Sequence, residues 1–493
     1  MRPRLMSADG DFDLHAPELP LAPDLVADLH LETLWAGMAR GDRRLYAMAR
    51  AATLAPLTDP AALAYRQAAL DDCLRNAPAV RALHTLADEA VKAEEKIIRG
   101  SSGSSEGLLN RSVHVLELLC GHLRELGRLA ASSAHGFRSA AFTRLFALLH
   151  NELNEKYLRS VEAFLRGFDF EHGIIASARL GEGNKGVVFR LHEPPGKGRP
   201  IPLHRRLKKS GLAYTLPGKY EEEWRSLNAF RSRLLGGVAG AVSGSADDVC
   251  DFFRALRNEL GFYVGCLNLA ETLAQRGLPF CPPEIHPSGT GVFTARELYD
   301  PCLALRLDDP VTGNDISADG LGLIVVTGAN RGGKSTFLRS VGVAHLMAQC
   351  GMFAPARGLS ASAAQGVFTH FKREEDRSMT SGKLDEELAR MSQVVDRLRP
   401  DSLVLCNESF MSTNEREGSD ISREIVGALG ELGVRVVFVT HMHAFAHRTS
   451  TETPEGTLFL TAERDGGFRL RPGTPSPTAH AEKLYAQIFG ERD

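Results

Sequence analysis

The first chemical signal is a run of eight residues. Gly328-Ala329-Asn330-Arg331-Gly332-Gly333-Lys334-Ser335 fits G-x-x-x-x-G-K-[ST] and follows the apolar stretch Leu323-Ile-Val-Val-Thr327. Glycines at this spacing let backbone N–H groups converge on phosphate oxygens. A helix opening at Lys334 points its positive end at the same anion. Lys334 supplies a point charge for the β- and γ-phosphates of ATP, Ser335 a hydroxyl for Mg²⁺, and Thr336 continues the loop into the helix.

Two further apolar runs end in polar residues suited to the same task. Leu403-Val-Leu-Cys406 leads into Asn407-Glu408. An acid at the first of these positions would hold Mg²⁺; Asn407 offers a carbonyl oxygen without charge, so weaker metal affinity or slower hydrolysis is expected. Glu408 is placed to act as general base toward an attacking water. Val436-Val-Phe-Val439 leads into Thr440-His441, where an imidazole can sense the γ-phosphate. His443 and His447 read as surface residues.

These groups need a scaffold that brings the ends of three strands together. From about residue 300, short β-branched runs alternate with helical stretches at 334–350 and 383–398, which argues for an α/β domain with a largely parallel sheet. A hairpin, Thr457 to Thr461 and Phe468 to Arg471 with Asp465-Gly466-Gly467 at its turn, closes it. Upstream the chain reads as mainly helical. Leu25 to Leu54 and Ala61 to Ile98 are apolar-periodic, 100–107 is a Gly/Ser connector, and Leu108 to Phe168 holds one or two long amphipathic helices. A short β-like section follows near 173–191. Residues 217–276 return to helix, with a break expected at the glycines near 236–244.

Composition excludes several classes. The chain has 493 residues, 43% hydrophobic and 24% charged, with 58 basic against 61 acidic side chains. A largely disordered chain and a globally basic nucleic-acid binder are excluded; a local basic patch is not. No apolar run reaches the length of a membrane span, and the N-terminus lacks an apolar signal region, so a cytoplasmic protein with no membrane partner is expected. The eight cysteines form no C-x-x-C pair and read as reduced core thiols.

Taken in order, these residues resemble the ATPase domain of the MutS family of DNA mismatch repair proteins. The family's T-G-P-N-M-G-G-K-S-T loop is matched by Thr327-Gly-Ala-Asn-Arg-Gly-Gly-Lys-Ser-Thr336. Gly351-Met-Phe-Ala-Pro-Ala356 is similar to its next turn, and Asn314-Asp315 to the N-D pair before its first core strand. Val311 occupies the place where the family often carries an adenine-stacking aromatic. Upstream, Gly41-Asp-Arg-Arg-Leu45, Tyr65-Arg-Gln-Ala-Ala-Leu70 and Leu267-Asn-Leu-Ala-Glu-Thr272 resemble the family's core.

The resemblance implies an ABC-like P-loop ATPase domain of the MutS type over 301–493. A helical core and lever region over 1–300 would precede it, with a clamp-like insertion near 170–215. It also implies a homodimer. Ser381-Gly382 would be the signature element completing a partner's nucleotide site, and Ser412-Thr413 would lie on a loop at the dimer interface. Phe-x-Glu occurs only at Phe489-Gly490-Glu491, so a mismatch-reading N-terminal domain is expected to be missing.

The segment Gly196 to Lys209 carries Lys197, Arg199, Arg205, Arg206, Lys208 and Lys209 and no acid. Such a run can neutralise phosphates on duplex or branched DNA without reading sequence, or can be a solvated surface loop. Three readings remain open. The first is a dimeric DNA-binding ATPase in mismatch repair, recombination control or damage sensing. The second is a slow nucleotide switch binding protein or RNA, and the third a structural relative without nucleotide.

Overall fold

The computed structural model describes residues 1–97, 104–168, 175–180, 182, 186–192, 221–307, 309–328, 330–373, 382–453, 455–462 and 467–475. They form two compact units. One comprises 1–3, 78–138 and 142–257, the other 4–77, 139–141 and 258–493. The second unit thus takes in residues 4–77 and 258–300 as well as the segment from 301 onward.

The first unit is helical, built largely on Ser105–Ser133, Glu155–Arg166 and most of Ala77–Lys96 and Ala140–Asn151. Strands β1 (Ile175–Leu180) and β2 (Gly186–His192) pair antiparallel in it. Glu94 is buried, yet its carboxylate receives Arg111 at 3.0 Å and Arg254 at 2.9 Å, so the buried charge is paired twice. The expected break near 236–244 is absent: Glu221–Gln275 is one helix, its early part in this unit and its end in the other. Each interior glycine costs about 1 kcal/mol of helix propensity. Here Leu235, Ala239, Val242, Ala246 and Cys250 form a buried stripe at three- and four-residue spacing that overrides the cost.

In the second unit the apolar stretch 25–54 divides into three helices, Ala22–Leu29, Leu31–Ala39 and Arg43–Leu54. His30 and Arg40 in the left-handed region separate or end them, and Asp42 caps the third by accepting from Arg44 N at 2.7 Å. Asp59 caps the next helix, Pro60–Arg75, with proline at its first position. Two sheets complete the unit. Strands β3 (Glu284–His286), β4 (Phe293–Leu298), β5 (Asn314–Ser317) and β7 (Gly358–Ser362) form one, in the order β3-β7-β4-β5.

The second sheet carries the chemistry. Its strands are β6 (Leu323–Gly328), β8 (Val367–Phe371), β9 (Leu403–Asn407), β10 (Arg435–Val439), β11 (Thr457–Ala462) and β12 (Leu470–Pro472), in the order β12-β11-β6-β10-β9-β8. The five strands β8 to β11 and β6 run parallel, and β12 closes the edge antiparallel to β11, as the hairpin predicts. The parallel run is apolar because both faces are covered. Val325, Val404, Val437 and Phe438 have no more than trace exposure. Helix Lys334–Gln349 is buried along almost its whole length. All eight cysteines are free, and all but Cys281 are fully buried.

Candidate functional site

Register puts the three polar strand ends side by side. Val326 lies opposite Val439, and Val439 opposite Asn407, so the residues that follow leave the sheet along one edge. In open parallel sheets this carboxyl edge is where ligands bind.

The glycine-rich loop connects β6 to helix Lys334–Gln349. Gly328 has φ +115°, and a Cβ there would stand 2.7 Å from the backbone nitrogen of Ala462. Gly333 has φ +85° and opens the helix without a side-chain cap, leaving the first backbone N–H groups directed at the loop's concavity. Arg331, at φ +63°, is exposed at the rim. Lys334 is buried and donates from Nζ to the Gly328 carbonyl at 3.0 Å. Burial pushes its ammonium below the usual lysine range, and the Glu408 carboxylate opposes that shift. Lys334 is thus a desolvated cation held at the loop, where an anion would restore its charge preference.

Ser335 Oγ donates to Asn407 Oδ1 at 2.9 Å. These are the two oxygens through which a divalent metal would be held, and both are neutral. Mg²⁺ is ordinarily bound by one or two carboxylates plus substrate phosphates. The pair could therefore hold such a metal only together with a ligand that brings its own negative charge. Among the described residues no cluster of three or more His, Cys, Asp or Glu side chains forms a metal site.

Glu408 and His441 stand next to this pair, His441 Nε2 lying 3.3 Å from Glu408 Oε1. Both are partly exposed to the cavity. Glu408 has φ +54° and Phe410 φ +62°, a backbone conformation that a non-glycine residue holds only when its surroundings impose it. Two anchors do so. Glu408 N donates to the Val439 carbonyl at 2.9 Å. Behind it, buried Ser409 meets the ring of His370, which stacks on Phe410 at 5.1 Å. Burial pushes His370 down to about 4, so its ring is neutral. Its Nε2 donates to the Glu387 carbonyl at 2.9 Å, and the Ser409 hydroxyl donates to the His370 carbonyl at 2.7 Å and lies 2.8 Å from Nδ1.

A cavity of about 290 Å³ opens over these groups. Asn330, Arg331, Gly332, Gly333, Lys334, Ser335, Thr336, Glu408 and His441 all line it. Asn407 joins through Ser335, and Gly328 through Lys334. Ala329 lies outside the described residues, as do Ser381 and all six basic positions Lys197, Arg199, Arg205, Arg206, Lys208 and Lys209. Gly382 precedes helix Lys383–Val395, and Ser412-Thr413 precede helix Glu415–Glu431; none of the three lines the cavity.

Sequence reasoning missed the cavity's apolar wall. Leu303, Leu307, Val311 and Phe468 provide a surface on which a flat ring can rest. Val311 holds the place where the resemblance puts an aromatic, and Phe468, half exposed, offers one from the hairpin return instead. Asn314 fixes that return: its Oδ1 accepts from Leu470 N at 2.7 Å, and its amide donates to the Phe468 carbonyl at 3.4 Å. The Asn314-Asp315 pair was the available signal, but nothing local ties it to residue 468. Asp300 also lines the cavity and is paired with Arg339 at 3.2 Å.

The chain is similar to known proteins over parts of its length. The family model described as MutS2 N-terminal domain matches residues 58–276, and that described as MutS domain V matches residues 324–466. The DNA mismatch repair protein MutS of Chloroflexus aurantiacus is 32% identical over 39% of this chain and 23% of its own length. DNA mismatch repair protein msh-2 of Neurospora crassa is 24% identical over 52% of this chain and 28% of its own. DNA mismatch repair protein MSH2 of Zea mays is 23% identical over 73% of this chain and 38% of its own. The chain thus spans well under half the length of these relatives. Among the described residues no helix is long and apolar enough to cross a membrane.

Proposed function

This chain belongs to the MutS family, matching its relatives over part of their length, and from that premise we propose that it is a nucleotide-driven DNA-binding ATPase. The observation that carries the reading is the convergence of Lys334, Ser335, Glu408 and His441 on one cavity at the carboxyl edge of a parallel sheet, with Asn407 hydrogen-bonded to Ser335. It supports the reading of a P-loop ATPase domain over about 301–493, preceded by a helical core and lever region over 1–300.

The loop amides, Lys334 and the helix N-terminus bind the polyphosphate, and the apolar wall with Phe468 seats the base. Mg²⁺ bound with the nucleotide would be held by Ser335 and Asn407 and would offset charge on the phosphates. Glu408 takes the proton of the attacking water, and His441, beside it, orients that carboxylate and faces the γ-phosphate. The protein works as a homodimer, with Ser381-Gly382 and Ser412-Thr413 completing the partner's site. Nucleotide state controls the grip on duplex, mismatched or branched DNA through differential affinity for open and closed states. The basic run from Lys197 to Lys209 supplies sequence-independent phosphate contacts. Neutral Asn407 favours a second reading, a slow-hydrolysing switch whose partner is protein or RNA.

Equilibrium binding to labelled homoduplex, mismatched duplex and four-way junction DNA, with ADP and with ATP, separates the two. Nucleotide-dependent binding is expected, and the preferred DNA names the task. ATP binding with no affinity for any of the three would reject the DNA reading and leave the switch.

A further inference from the structure

The balance of charge around the nucleotide cavity points to an unusual relation with metal. The two oxygens positioned for a divalent cation, Ser335 Oγ and Asn407 Oδ1, are both uncharged and already hydrogen-bonded to each other at 2.9 Å. The loop, by contrast, carries two cations of its own. Lys334 is buried at its base and Arg331 is exposed at its rim, both lining the cavity. Arg331 forms no ion pair with an acidic side chain among the described residues. Of the two acids lining the cavity, Asp300 is paired with Arg339 and Glu408 faces His441.

We propose that Arg331 makes polyphosphate binding at this site largely independent of a divalent metal, its guanidinium neutralising phosphate oxygens directly. The inference rests on the nucleotide reading above. A carboxylate in place of Asn407 would attract the metal and repel a metal-free polyphosphate; the neutral amide oxygen attracts the metal less and does not repel the anion. A guanidinium donates two parallel N–H groups to a phosphate, which an exposed cation at the rim does without breaking an ion pair among the described residues. Removing the acid and adding the arginine shift the site in the same direction, from holding a metal complex toward holding the bare anion.

The test is calorimetric binding of ATP to the full chain, in Mg²⁺ and in EDTA. Wild type is expected to hold ATP in EDTA within about tenfold of its affinity in Mg²⁺. Arg331→Met is expected to weaken binding in EDTA by about tenfold or more, with a smaller change in Mg²⁺, while Arg331→Lys keeps most of the metal-free affinity. Asn407→Asp, which leaves the loop intact, should create metal dependence. The inference is overturned if wild type loses about a hundredfold or more in EDTA, or if Arg331→Met weakens both conditions equally. Absence of ATP binding in both conditions rejects the nucleotide reading itself, and is thereby distinguished from failure of metal independence alone.

Discussion

His441 Nε2 lies 3.3 Å from Oε1 of Glu408, each residue standing just beyond the end of one of two adjacent parallel strands. The pair is close enough for the imidazole to fix the orientation of the carboxylate, and both side chains remain open to the cavity. Glu408→Gln is therefore expected to keep ATP affinity and to lose about 10²- to 10⁴-fold in turnover. Lys334→Ala removes a charge-assisted contact worth about 1.5–3 kcal/mol and weakens ATP binding by at least about tenfold. Comparing the two variants in cells separates a motor from a switch. If Glu408→Gln retains function where Lys334→Ala abolishes it, nucleotide binding is the output; loss in both means turnover is required.

Gly328 couples the loop to the hairpin edge. A methyl group there meets the Ala462 backbone at 2.7 Å, in a left-handed conformation that favours glycine. Gly328→Ala is expected to cost about 1–3 kcal/mol in backbone strain and displacement. Urea unfolding reads the loss, and an unchanged midpoint would show that β11 yields without cost.

The buried carboxyl of Glu259 gives a pH dependence of known sign. It accepts from Leu5 N at 2.5 Å, and burial raises its pKa to about 7. A carboxyl whose folded pKa lies above its unfolded one binds its proton more tightly in the native state. Its contribution is fully present below about pH 4.5 and is lost as pH rises through about 7, amounting to roughly 3 kcal/mol. Glu259→Gln, neutral at every pH, should gain stability relative to wild type between pH 5 and pH 8. A constant difference across that range would mean the carboxyl is solvated in the folded state.

The basic segment makes a quantitative prediction about salt. Reversing charge at Arg205, Arg206, Lys208 and Lys209 should weaken DNA binding and lower the slope of log affinity against log salt by roughly 3 to 4. An unchanged slope would move the DNA contact to another surface.

The glycine-rich loop and the two polar strand ends are legible in the sequence because each is written in consecutive residues. Leu323–Ser335, Leu403–Glu408 and Val436–His441 carry both the strand and its chemistry within a short stretch. The sheet formed by β3, β4, β5 and β7 was not legible. Its strands are short and of mixed polarity, and Glu284 finds its partner at Ser360. In helix Glu221–Gln275 the glycines predict a break by local propensity, and the buried stripe on the same helix outweighs it. The placement of Phe468 at the cavity is not legible, because it depends on Asn314, distant in the chain.

The placement of β6 bears on how the protein is made. Both strands that flank it, β10 and β11, come later in the chain. On a ribosome, β6 and the loop it carries wait without a sheet neighbour while roughly a hundred residues are added, about 5–20 s at common elongation rates. During that interval Leu323 to Thr327 is an apolar strand with two open edges, the kind of segment that recruits chaperones or a neighbouring nascent chain. The nucleotide loop is thus among the last features to take shape, and a ribosome stalled before β10 would release a chain that has the motif and no site.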